Sequence, residues 1–341
     1  MYHETIHFMK QMVDQQVTPG ISYLLFKNKT ILKGQIGVRE LTPVVIPLTD
    51  KTVYDVASLT KVILTNSVIL KLMEENILDV DSKLATYLPS WHETSVTIRQ
   101  LLTHTSGINP FIKNRQELNQ EALIQEILQL PVEEDKQGRS KSYTDTGTIL
   151  LGLLLEEYYQ QDVQTIFKQQ VLQPLSMSCS GFDLTEIIDV APTEYTKERG
   201  IIKGIVHDPK AFVLKEHCGS AGLFTNIDDT WLFAQMMLNK GVTVQGKEFL
   251  KATTINSLLK DWTQEAKLSR SLGWDLLYHL DDGHPLLYHT GYTGTFMILD
   301  IINQEVFIFL SNRVHPYDDN IQYLKERDEL VKIYLKEQTK D

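Results

Sequence analysis

The sequence predicts an α+β fold: an antiparallel sheet flanked by helices, interrupted by an inserted, mostly helical domain. Three observations predict it. Strand-like runs occur only toward the two ends of the chain. A helix that is apolar almost all round begins near residue 58. The stretch between these features, 81–220, reads as helices joined by polar loops. The expected division is a sheet domain formed by 1–80 and 221–341, with the helical insertion at 81–220. A chain of 341 residues has room for two domains of ~150 residues each.

Taken in order, residues 3–16 place Ile6, Met9, Met12 and Val13 at helical spacing, and Pro19-Gly20 ends the run. Residues 21–28 and 30–38 read as two strands turning at Asn28-Lys29. The Pro- and Thr-rich stretch 41–50 reads as loop, and 52–56 as a short extended run. In 58–75, apolar residues from Leu59 to Met73 cover most of the helix circumference, which marks a buried helix. Helical patterns recur at 97–102, 116–129, 146–159 and 163–171. Strand character returns at 274–279, 286–287, 295–300 and 306–310, and a helix over 320–336 closes the chain.

Hydrophobic residues make up 42% and charged residues 23%, the proportions of a globular protein. The net charge of −11 argues against nucleic acid or an anionic membrane as partner, since both require a concentrated basic surface. The first 16 residues lack the continuous apolar core of a secretory leader. The longest apolar stretch, 149–155, is far shorter than the ~20 residues needed to span a bilayer. A cytoplasmic protein without an integral membrane segment is therefore expected. Cys179 and Cys218 read as buried free thiols.

Three groups could carry chemistry. In Ser58-Leu59-Thr60-Lys61 the spacing of three puts the amine on the same helix face as the hydroxyl. Ser58 would sit at a helix N-terminus, and an enclosed lysine can activate a serine. The plainer reading is an N-cap followed by a solvated lysine, but the apolar run after Lys61 argues for enclosure. The same spacing at Ser257–Lys260 reads as ordinary helix surface. In Tyr143-Thr144-Asp145 the phenol could relay protons and the carboxylate could orient Lys61 or a substrate amide. Without context, a packing tyrosine and an Asp N-cap would account for both. In His289-Thr290-Gly291 the glycine leaves room for a substrate beside a strand edge, and the imidazole could donate to substrate or assist proton transfer. Its plainer role is to bond a carbonyl at a strand start.

In this order, S-x-x-K, Y-x-D and H-T-G, the set resembles the serine penicillin-recognising hydrolases. The resemblance is to the class C β-lactamase-related branch with its carboxypeptidases, aminopeptidases and esterases. Leu101–Gly107 and Gly219–Thr225 also look like that branch, so the similarity runs from about Pro19 to Asn312. It implies a β-lactamase/transpeptidase-like fold and a small-molecule acyl substrate, with no cofactor or metal. By position, Ser58 would be the acylated nucleophile, and Lys61 with Tyr143 its base system. The N–H groups of Ser58 and Tyr292 would form the oxyanion hole. His289 would line the opposite wall, with Thr290, Gly291 and Asp145 contacting substrate, and His104 would be supporting structure. His289 and Asp145 stand where the family more often has Lys and Asn. Both changes remove positive potential and weigh against efficient β-lactam turnover, so esterase or D-amino-acid peptidase-like activity is expected.

Two other readings compete. A metal hydrolase is suggested by His279, His284 and His289 at five-residue intervals. That spacing fits neither strand alternation nor one helix face, and no carboxylate cluster completes a tetrahedral set. A non-catalytic ligand- or penicillin-binding protein on the same fold is the other alternative, opposed by the intact Ser, Lys and Tyr.

Overall fold

The computed structural model describes residues 1–185, 187, 189–318 and 321–339. The hairpin comes first: β1 (Gly20–Lys27) and β2 (Thr30–Glu40) pair antiparallel in the register Lys27 to Thr30. Asn28 and Lys29 both take positive φ, 52° and 62°, the twist a two-residue hairpin turn requires. Helix α1 (His3–Asp14) precedes the hairpin. The late strands β4 (Asp275–Tyr278), β5 (Pro285–Gly291), β6 (Thr295–Asp300) and β7 (Glu305–Ser311) join it, with β7 against β1. Counting the short β3 (Ile46–Pro47), the main sheet has seven antiparallel strands in the order β3-β2-β1-β7-β6-β5-β4.

Every residue of β6 and β7 is buried, because helices cover both sheet faces. On one face Phe296, Phe307 and Phe309 pack with Met9 and Met12 of α1 and with Leu330 and Tyr334 of the closing helix, α5 (Gln322–Gln338). On the other, Met297, Ile308 and Leu310 pack into a larger core that includes α2 (Lys61–Thr65 in π form, then Asn66–Glu74), α3 (Thr146–Tyr159) and α4 (Ile227–Leu238). The helix expected to be buried all round is so from Lys61 to Leu70.

Differences from the sequence reading are local. Strand β3 lies in the expected loop, and Tyr195–Thr196 pairs with Gly200–Ile201 in a stretch read as strand-free. Two-residue strands are too short to show an alternation. Strand β5 extends from the expected 286–287 to Pro285–Gly291, through the polar Tyr288, His289 and Thr290. The helix expected over 116–129 spans Gln120–Leu128. The run read as 163–171 is α-helical over Val163–Phe167 and π-helical over Lys168–Leu172. Asn320, the expected start of the closing helix, lies outside the described residues. Cys218 is buried as expected, but Cys179 is exposed, at the surface of the loop before Gly181. Among the described residues, no helix is long and apolar enough to cross a membrane.

Candidate active site

The turn into α2, the segment before α3 and the C-terminal end of β5 meet at one end of the sheet. Ser58 is presented by a sharp turn. Ala57 before it has φ 45°, a left-handed conformation unusual for alanine, and its backbone is held from both sides. Its N–H donates to Asp55 Oδ1 (2.9 Å), and its carbonyl accepts from the Thr60 hydroxyl (2.6 Å). Leu59 and Thr60 are already helical, so Ser58 stands at the helix N-terminus as expected, with Lys61 one turn further on.

Lys61 is 3% exposed, and its ammonium has three acceptors for three protons. They are Ser58 Oγ at 2.7 Å, Asp145 Oδ1 at 2.9 Å and the Ser220 carbonyl at 3.0 Å. The third depends on a close approach: a Cβ at Gly219 would lie 2.5 Å from the Thr148 carbonyl, so glycine there lets the 219–220 backbone lie on α3. Burial works to lower the Lys61 pKa, but the electrostatic pull of Tyr143 and the Asp145 carboxylate outweighs it, and the pKa stands above the usual lysine value. Asp145 sits at the N-cap position of α3, yet its side chain does not cap the helix. Instead it lies between Lys61 and Lys210, whose Nζ is 2.7 Å from Oδ2. Burial would raise the carboxyl's pKa; the two ammonium groups override that and hold it well below the usual carboxylate range.

Tyr143 is about half exposed, with its ring centroid 5.3 Å from Lys61 Nζ. Its ring rests on His104 (4.6 Å between centroids) and faces His289 (5.9 Å). The Arg270 guanidinium, wholly buried and paired with Asp275 at 2.6 Å, lies 5.9 Å from the same ring. The expectation that His289 lines the cleft wall is corrected. Alternation along β5 turns Thr290 toward the cleft and His289 into the core, where it is 1% exposed with Nδ1 3.0 Å from the Thr290 carbonyl.

The end of β5 is tied to the nucleophile turn. Thr293 Oγ1 donates to the Asp55 carbonyl (2.6 Å) and Thr295 Oγ1 to that of Val56 (3.1 Å). Among the described residues, the backbone N–H groups of Ser58 and Tyr292 donate to no protein acceptor. Arg313 holds the Tyr292 carbonyl through Nε (2.9 Å) and pairs with Asp318, which also accepts from the Tyr292 hydroxyl.

Ser58, Tyr143, Asp145, Thr290, Gly291 and Tyr292 line a cleft of about 610 Å³. His207 and Asp208 also line it; the His207 N–H donates to Asp55 Oδ2 at 2.7 Å. His315 is buried elsewhere, between the Thr193 carbonyl and the Leu41 N–H. The sequence reading missed Lys210 and Arg270. Lys210 had a signal, a Pro209 helix start beside His207-Asp208; Arg270 had none. Together they restore positive charge around Asp145 and Tyr143.

Burial, then the Arg270 and Lys61 cations, push the His289 pKa down to about 3. His104 is lowered by the same causes. An unfolded imidazole titrates at about 6.5, so the stability each neutral ring contributes is complete above that pH and lost as pH falls toward the folded value. Below 6.5 the loss is ~1.4 kcal/mol per pH unit for each ring. In urea unfolding, His289→Gln should lose about 2 kcal/mol less than the native protein between about pH 7 and pH 5. Equal losses would contradict the assignment.

A model of the family described as Beta-lactamase matches residues 6–331. Among curated relatives, the "Putative D-alanyl-D-alanine carboxypeptidase" of Escherichia coli (strain K12) is 26% identical, covering 92% of this chain and 83% of its own. The "N-acetylmuramyl-L-alanine amidase" of Bacillus subtilis (strain 168) is 25% identical, over 89% of this chain and 80% of that protein. Among solved structures, a class C beta-lactamase superposes with a TM-score of 0.79 at 15% identity, covering 100% of this chain and 96% of that one. "EstCE1, a hydrolase with promiscuous acyltransferase activity" superposes at 0.74 with 17% identity, over 96% and 97%. These likenesses agree with the antiparallel sheet and flanking helices expected from sequence.

Proposed function

Because the chain belongs to the Beta-lactamase family, we propose that it is a serine hydrolase working through an acyl-enzyme on small ester or amide substrates. The observation that carries this is the 2.7 Å contact between Lys61 Nζ and Ser58 Oγ at the floor of the cleft. Carboxypeptidase, amidase and esterase names among the similar proteins support the same reaction class.

Ser58 Oγ attacks the substrate carbonyl. All three Lys61 protons are engaged and its pKa is raised, so Lys61 acts as a fixed cation beside the developing alkoxide. Tyr143, reacting as the phenolate beside the Lys61 and Arg270 cations, accepts the hydroxyl proton and passes it to the leaving alcohol or amine. The N–H groups of Ser58 and Tyr292 receive the oxyanion, and water activated by Tyr143 then releases the acid. His289, buried and neutral, holds Tyr143 in position and takes no proton.

The test is one sample assayed on a p-nitrophenyl ester, a D-alanyl peptide and nitrocefin, beside Ser58→Ala. The ester or the peptide should be hydrolysed at least ~10-fold faster than nitrocefin, and Ser58→Ala should abolish both. Hydrolysis surviving in Ser58→Ala, or nitrocefin as the best substrate, would overturn the reading.

A further inference from the structure

The metal reading weighed from sequence grouped three histidines, and the structure separates them. His289 lies in the core behind Tyr143, roughly 16 Å along β5 from His284. His279 and His284 instead flank the turn between β4 and β5. The His279 N–H donates to the His284 carbonyl at 2.9 Å, and Gly283, at φ 72°, lets the chain reverse. Cross-strand partners beside a turn share a face, and the two imidazoles stack with centroids 4.6 Å apart and planes 12° from parallel.

Asp282, in the turn, supplies the carboxylate the sequence reading did not find. Its Oδ1 is 2.6 Å from His284 Nδ1 and 3.3 Å from His279 Nδ1, and one ligand atom from each of the three residues fits within 4.8 Å. Around a tetrahedral zinc, with bonds of ~2.0–2.1 Å, neighbouring donor atoms stand about 3.3 Å apart. The His279–Asp282 pair already has that spacing, and the His284–Asp282 pair must open by less than about 1 Å.

Behind the cluster, fully buried Asp300 holds His284 Nε2 at 3.0 Å from both carboxylate oxygens. Asp300 is itself fixed by the N–H groups of Ile302 (3.0 Å) and Asn303 (2.8 Å). A carboxylate on the far nitrogen of a ligating imidazole orients the ring and raises its basicity toward a metal. The near nitrogen then faces a carboxylate and a second imidazole, a donor set suited to a first-row divalent ion such as Zn²⁺.

We propose that His279, Asp282 and His284 form a divalent transition-metal site that clips the β4–β5 hairpin, with Asp300 as the residue that orients His284. It stands apart from the cleft and is independent of the hydrolase reading. The metal would fasten the outer hairpin of the sheet, whose other end carries Thr290 and Gly291.

The test titrates metal-stripped full-length protein with Zn²⁺ by calorimetry and with Co²⁺ by visible absorption. The native protein should bind one equivalent of Zn²⁺ and develop a tetrahedral Co²⁺ spectrum. His279→Gln and Asp282→Asn, both at the turn, should each weaken Zn²⁺ at least ~10-fold and abolish that spectrum. His3→Gln/His7→Gln, on the exposed face of α1, should change neither. Native protein that binds no Zn²⁺ would overturn the proposal. So would binding unchanged by His279→Gln and Asp282→Asn, or binding lost in the His3/His7 variant.

Discussion

Replacing Lys61 by Met should slow acylation of Ser58 at least ~100-fold while leaving the protein folded. The variant keeps the length of the side chain but removes the ammonium that contacts Ser58 Oγ, Asp145 and the Ser220 carbonyl. Asp145 retains Lys210, so its carboxylate is not left unpaired. Lost with the ammonium is the cation facing the alkoxide, in a cleft where Lys61 is nearly sealed from water. Pre-steady-state release of p-nitrophenol measures the step directly. An acylation rate within about threefold of native would remove Lys61 from the chemistry.

The second large effect comes from a single methyl group. A Cβ at Gly291 would lie 2.2 Å from Thr295 Oγ1 and 2.4 Å from the Val56 carbonyl oxygen. The hydroxyl can rotate away, but the carbonyl belongs to the turn that presents Ser58 and can yield only by moving that turn. Overpacking of this kind costs ~1–3 kcal/mol, and a displacement near 1 Å between reacting groups costs ~100-fold in rate. Gly291→Ala should therefore lower unfolding stability by that amount and slow acylation at least ~10-fold, the rate falling because Tyr292 N–H and Ser58 part. An unchanged denaturation midpoint and an unchanged rate would show that β5 and the Ser58 turn do not meet as described.

What could be read from sequence was what periodicity and spacing encode. The Asn28-Lys29 hairpin, the buried α2, α3 and β6 follow from local pattern, as does the reach of Lys61 to Ser58 across one helical turn. The contacts that complete the site come from far along the chain and leave no local mark. Lys210 reaches Asp145 from a six-residue helix, and Arg270 reaches the Tyr143 ring from a loop. The face His289 presents depended on the register of β5, which the polar run Tyr288-His289-Thr290 did not declare. Likewise, the carboxylate beside His279 and His284 became visible only when the turn closed.

The central claim is that the Ser58 hydroxyl is the group that becomes acylated. It is tested most directly by treating the intact protein with a fluorophosphonate and weighing it. The native protein should gain one phosphonyl group, mapped by peptide sequencing to Ser58, and Ser58→Ala should gain none. Native protein that gains no mass, or an adduct that persists in Ser58→Ala, would contradict it.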